Sequence, residues 1–152
     1  MGTTTDTDRP GDAVPAPLFT RIDHVGIAVP DLDAAVAFYE SAFGLRVVHE
    51  EINEEQGVRE AMLAVGDSCI QLLAPLRPDS PIGTFLERNG PGIQQVAYGV
   101  DDVEEAARRL RAAGLRVLYD EARTGTAGSR VNFIHPRDCG GVLVELVQSG
   151  EH

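Results

Sequence analysis

The order of elements in the first half of this chain recurs in the second, and that duplication limits its possible folds more than any other feature. Ile22-Asp23-His24-Val25-Gly26-Ile27-Ala28-Val29 leads to an acidic helix start at Asp31 and later to Phe43-Gly44-Leu45-Arg46-Val47-Val48. Ile93-Gln94-Gln95-Val96-Ala97-Tyr98-Gly99-Val100 leads to Asp101-Asp102 and later to Ala113-Gly114-Leu115-Arg116-Val117-Leu118. His24 and Gln95 stand 71 positions apart, and Gly44 and Gly114 stand 70 apart. A chain of 152 residues then holds one domain of two closely packed half-units, with enough length to bury a core.

Each unit reads as strand, helix, then three strands. Residues 21–29 alternate and are rich in Val and Ile, a strand pattern. Residues 31–43 carry Leu32, Val36, Phe38, Tyr39 and Phe43 at mixed three- and four-residue spacing, with Asp31 able to cap the start and Gly44 to stop the helix. Strands are expected at 45–52, 58–65 and 68–74, separated by turns at Asn53–Gly57 and Gly66-Asp67. The second unit repeats this with strand 92–100, helix 102–113, and strands near 115–119, 129–134 and 141–147. The linker from Pro75 to Pro91 has room for a short helix around Ile82–Arg88. Residues 1–18, rich in Thr, Asp, Pro and Gly, read as a disordered tail before a domain at 19–148, with modules at about 19–76 and 91–148. That start has neither the basic beginning nor the apolar run of a signal peptide.

Composition removes several function classes. The net charge of −11 argues against nucleic acid, which is bound by clustered cations. All 13 basic side chains are arginine, so Schiff-base lysine chemistry and a P-loop lysine are excluded. Cys69 and Cys139 are too few and too far apart for a disulfide framework or zinc cluster, and they read as reduced thiols of a cytoplasmic protein. No segment approaches the ~20 apolar residues of a membrane span.

Strand alternation shows which side chains share a face. His24, Gly26 and Ala28 lie on one face of the first strand, and Val25, Ile27 and Val29 on the other. The fifth strand repeats this with Gln95, Ala97 and Gly99 against Val96, Tyr98 and Val100, so Gln94 is expected to face away from Gln95. One polar side chain beside two small ones, twice, resembles a cavity floor more than a core. Gln71 and Glu145, 74 positions apart, each interrupt an apolar run on the last strand of a unit. A buried carboxylate at 145 needs a partner. Glu60 shares a face with Val58, Met62 and Ala64 and can enter the same apolar cavity. Arg130, with Gly128, Ser129 and the glycine-containing loop before it, can receive phosphates or an acyl carboxylate. His49 and His135 read as loop or surface histidines, and Cys69 as a small pocket wall on the face of Gln71.

The run Ile22-Asp23-His24-Val25-Gly26-Ile27-Ala28-Val29-Pro30 resembles the opening strand of the vicinal-oxygen-chelate superfamily. Asn53-Glu54-Glu55-Gln56-Gly57-Val58-Arg59-Glu60 and Gln71-Leu72-Leu73-Ala74-Pro75 are more specific. Most specific are Leu118-Tyr119-Asp120-Glu121, Gly128-Ser129-Arg130-Val131-Asn132-Phe133-Ile134-His135-Pro136 and Gly141-Val142-Leu143-Val144-Glu145-Leu146. Together these are similar to the methylmalonyl-CoA epimerase family from about Phe19 to Gln148.

That resemblance implies an α+β fold of paired βαβββ modules, with a curved mixed sheet around a central cavity. It also implies a divalent metal, cobalt or manganese, held at His24, Gln71, Gln95 and Glu145. The family's histidine at the third of these positions is Gln95 here, a hard neutral donor expected to weaken or abolish metal binding. Glu60 matches the family's proton-transfer base, and Glu145 is the natural group to oppose it. The implied activity is epimerisation of methylmalonyl-CoA, or a close 2-substituted malonyl-CoA, through a metal-stabilised enolate, by a homodimer. Two alternatives stay open: another acyl-CoA reaction on the same fold, and a non-enzymatic small-molecule binding module.

Overall fold

The computed structural model describes residues 17–150, so most of the expected tail lies outside the described residues. The elements run β1 (Arg21–Ala28), α1 (Leu32–Phe43), β2 (Val47–Asn53), β3 (Val58–Val65), β4 (Ser68–Pro75), α2 (Pro81–Asn89), β5 (Gly92–Gly99), α3 (Val103–Ala112), β6 (Arg123–Thr124), β7 (Arg130–Ile134) and β8 (Leu143–Gln148). Local chemistry marks the helix ends. Asp31 accepts the amide of Ala34, and Asp102 accepts those of Glu104 and Glu105. Gly44 takes φ 70° as α1 stops, a left-handed turn that other residues resist.

All eight strands form one curled mixed sheet in the order β2-β3-β4-β1-β5-β8-β7-β6. β1 runs parallel to β4 and β5 parallel to β8, while β1 and β5 pair antiparallel at the centre. The duplication extends to register. His24 sits opposite Cys69 as Gln95 sits opposite Leu143, and Gly26 sits opposite Gln71 as Ala97 sits opposite Glu145.

α1 and α3 each cover one half of the sheet's outer face. Under α1, Leu32 packs with Ala61, Leu63, Leu72 and Ala74. Under α3, Val103 and Ala106 pack with Ile134, Val144 and Leu146. These are the alternate residues of β3, β4, β7 and β8, so their neighbours Glu60, Gln71, Phe133 and Glu145 turn to the inner face. α2, starting at Ser80 and Pro81, seats Ile82 against Ala28, Val58 and Leu73 and closes one end of that face. None of the described helices is long and apolar enough to cross a membrane.

The strand expected near 115–119 is reduced to a single bridge between Val117 and Ile134. Side chains replace the missing ladder. Buried Asn132 accepts the amide of Tyr119 and donates to its carbonyl, each at 3.0 Å, while Arg111 donates to the same carbonyl at 2.6 Å. The edge strand of this half is instead the two-residue β6.

Candidate active site

The inner face encloses a cavity of about 560 Å³, a size suited to a small-molecule ligand. Glu60 from β3, Gln71 from β4, Gln95 from β5 and Glu145 from β8 all line it. His24 from β1, 3% exposed, is not part of the lining and joins the site through Glu145, 3.1 Å from its Nε2.

The polar groups form a continuous chain of hydrogen bonds. Thr126 donates to Oε2 of Glu60 at 2.8 Å, and the Gln71 amide donates to Oε1 of the same carboxylate. Gln95 Nε2 donates to Oε1 of Gln71 at 3.2 Å and to Oε1 of Glu145 at 2.6 Å. His24 Nε2 lies 3.1 Å from that same Glu145 oxygen, and its Nδ1 lies 2.8 Å from Oδ2 of Asp23. Two buried carboxylates therefore face one cavity, bridged by two glutamine amides.

Burial and these contacts shift the titration of several groups. Burial pushes the Glu60 carboxyl up, opposed by the Thr126 and Gln71 hydrogen bonds and reinforced by the charges of Glu51 and Glu145. Burial opposes charge on His24, but Asp23 and Glu145 outweigh it and raise the imidazole to about 9. Burial alone would raise Asp23, yet the His24 hydrogen bond, with the charges of His24 and Arg21, holds it below the usual carboxylate range.

The donor set also bears on a metal. His24 Nε2, Gln71 Oε1 and Glu145 Oε1 converge on one point, and an imidazole nitrogen with two oxygens can hold a divalent cation. Gln95 directs its nitrogen, not its oxygen, at the same point. Among the described residues no three His, Cys, Asp or Glu side chains gather as a metal site, so any such centre depends on the glutamine.

Other expected positions fall differently. The cavity wall does not include Gly128, Ser129 or Arg130. On β7 the alternation sends Val131 and Phe133 inward and Arg130 outward, where it pairs with Glu104 at 2.8 Å. Ser129 is buried and ties the loop by donating to the Thr126 carbonyl at 2.8 Å. The arginine in the wall is Arg123, whose guanidinium lies 3.8 Å from the centre of the Tyr119 ring.

Gln94 also lines the cavity, contrary to simple alternation. The β1–β5 register steps from Gly26 opposite Gln95 to Ile27 opposite Ile93, so Gln94 is the extra residue of a β-bulge and both glutamines turn inward. Cys69 is absent from the wall; it and Cys139 are free thiols. His49 pairs with Glu51 at 2.7 Å, and His135 caps the turn at 136–139 by accepting the amide of Arg137.

Sequence reading missed Thr126, Asp23 and Arg123. Only Asp23, adjacent to His24, carried a local signal. Thr126 reaches Glu60 because the loop turns sharply at Ala127, a non-glycine residue at φ 57°.

Comparison with known proteins agrees with this geometry. Residues 23–133 match the Glyoxalase/Bleomycin resistance protein/Dioxygenase superfamily. The chain is 40% identical over 146 residues to the mitochondrial methylmalonyl-CoA epimerase of Homo sapiens, covering 94% of this chain and 83% of that protein. The crystal structure of methylmalonyl-CoA epimerase from Mycobacterium tuberculosis is 53% identical with a TM-score of 0.87, covering 92% of this chain and 95% of that one. A methylmalonyl-CoA epimerase in complex with methylmalonyl-CoA and NH4+ is 54% identical with a TM-score of 0.83, covering 86% and 95%. This chain belongs to the glyoxalase/bleomycin resistance protein/dioxygenase superfamily and, within it, to the methylmalonyl-CoA epimerase family.

Proposed function

We propose that this protein interconverts the (R) and (S) forms of methylmalonyl-CoA, or a close 2-substituted malonyl-CoA, with one of Glu60 and Glu145 taking the C2 proton and the other delivering a second proton to the opposite face. The observation that carries this reading is the pair of buried carboxylates on one cavity, 4% and 7% exposed and separated by the Gln71–Gln95 bridge. Inversion at carbon requires a base on one face and an acid on the other. One carboxylate begins ionised and the other protonated, and the two exchange roles with the direction of reaction.

Glu60 is suited to removing a carbon-bound proton. Its burial favours the neutral acid, so its carboxylate is a stronger base than one in water. Thr126 and Gln71 bind both of its oxygens and fix its direction. On Glu145 the bonds from His24 and Gln95 both fall on Oε1, so Oε2 is the oxygen we assign to proton transfer. Apolar wall residues such as Leu73, Val131 and Phe133 exclude water from the carbanion.

His24, Gln71 and Glu145 would hold the divalent metal, cobalt or manganese, and when bound it supplies positive charge to the enolate oxygens. Arg123, at the wall beside Tyr119, supplies a positive charge for the anionic acyl-CoA. Exposed Phe38 and Phe43 on α1, with Val48 and Ile52 on β2, support a homodimer. The free thiols Cys69 and Cys139 support a reducing cytoplasmic setting.

The test is entry of solvent deuterium at C2 of methylmalonyl-CoA, followed by mass and by epimer. Parent protein is expected to exchange both epimers. Glu60→Gln and Glu145→Gln should each lose exchange by about 10²–10⁴-fold, the usual range for a general base. Background exchange in the parent, with cobalt or manganese added, would sink the reading.

A further inference from the structure

The amide of Gln95 stands where the three candidate ligand atoms meet. Its Nε2 lies 2.6 Å from Glu145 Oε1, 3.2 Å from Gln71 Oε1 and 3.3 Å from His24 Nε2. All three exceed a metal–ligand bond of about 2.0–2.2 Å, and the two to oxygen are hydrogen bonds, while His24 Nε2 gives its own proton to Glu145. An amide nitrogen carries two protons to donate and offers no lone pair to a cation. Reversing the amide would set its oxygen against a carboxylate oxygen and a second amide oxygen, lone pair against lone pair. The acceptors therefore require the nitrogen to face inward.

The backbone is built around this placement. Gly26 sits opposite Gln95 on β1, and a Cβ there would lie 2.7 Å from Gln95 Cγ and 3.2 Å from Leu73 Cδ1. The bulge at Gln94 sets the direction of the following side chain. Gln95 itself is 8% exposed, so solvent does not compete for its protons.

We infer that Gln95 is a built-in occupant of the cation position and not its fourth ligand. Its N–H group and a divalent cation compete for His24, Gln71 and Glu145, and a cation binds only as the Gln95 side chain withdraws. The inference rests on those three residues being the ligand set. Without a cation, the amide satisfies the Gln71 and Glu145 oxygens, which would otherwise repel one another. This role reverses the usual expectation for a residue at a ligand position, because removing the side chain should strengthen metal binding.

The experiment measures Mn2+ binding to the metal-stripped full-length chain, by electron paramagnetic resonance of free Mn2+ and by calorimetry. Gln95→Ala is expected to bind Mn2+ at least about ten-fold more tightly than the parent. Its metal-free form should melt below the metal-free parent, and the gap should close as Mn2+ is added. Gln95→Asn, one methylene too short to reach both acceptor oxygens, should shift affinity the same way and stands in if Gln95→Ala fails to fold. Equal or weaker binding in these variants, or no binding in any, overturns the inference. His24→Ala separates the two layers. If it abolishes Mn2+ binding while Gln95→Ala gives no tightening, the ligand set stands and the occupant role fails. If it leaves Mn2+ binding unchanged, the ligand set itself is wrong and the inference falls with it.

Discussion

Thr126 and Glu60, 66 positions apart in the chain, are joined by a 2.8 Å hydrogen bond from the Thr126 hydroxyl to Oε2 of the carboxylate. The bond links the second module's loop to the first module's base, so the reacting geometry depends on both halves of the duplication. Gln71 holds the other oxygen of Glu60. Together these two donors fix the plane of the carboxylate against the cavity.

Thr126→Ala should therefore reduce kcat more than it changes KM. A hydrogen bond to a charged group contributes about 1.5–3 kcal/mol, equivalent to roughly a 10–100-fold loss in rate if it acts on the reacting geometry. Thr126→Ser keeps the hydroxyl and should stay within a few-fold of the parent. Steady-state kinetics of epimerisation for the three proteins checks this; equal kcat for Thr126→Ala and parent would remove Thr126 from the machinery.

Asn132→Ala tests the side-chain replacement of a strand. The change leaves the backbone N–H of Tyr119 without its partner and takes one of two donors from its carbonyl. A polar group left unpaired costs about 1–3 kcal/mol, so a loss of that size in urea unfolding is expected. The same change should raise KM, because Tyr119 and Arg123 form part of the cavity wall on the loosened segment.

Gly26→Ala places a methyl 2.7 Å from Gln95 Cγ and 3.2 Å from Leu73 Cδ1, so both side chains must shift to admit it. Overpacking of this kind costs about 1–3 kcal/mol. Urea titration should show a lower midpoint at an unchanged m-value, the sign of lost stability with the same fold. A neutral result would mean that the Gln95 side chain moves freely.

Asp138 gives a pH dependence far from the cavity. The Arg116 guanidinium and backbone N–H hold its carboxyl at about 2, below the ordinary value of 3.8. A folded value below the unfolded one adds stability above the unfolded value, which is lost as pH falls through the folded one. The melting-temperature gap between parent and Asp138→Asn should thus be widest above about pH 5 and shrink steadily toward pH 2. A gap that is constant across this range would show that the charge is not what the pair contributes.

The features legible along the chain were periodic or local. Alternation on β1, β3, β4 and β8 put His24, Glu60, Gln71 and Glu145 on inner faces, and the capping aspartates and Gly44 set the helix ends. The 71-residue echo of His24 in Gln95 already implied a duplicated fold. Tertiary structure decided whatever depended on register or on long-range partners. The bulge that turns Gln94 inward is a mismatch between two strands, invisible in either one. Asn132 replacing a strand, Thr126 reaching Glu60, and Arg123 in place of Arg130 at the wall all require contacts that close only when the loop and sheet are assembled. The orientation of the Gln95 amide belongs with these, because it follows from two acceptor oxygens that β4 and β8 bring together from distant parts of the chain.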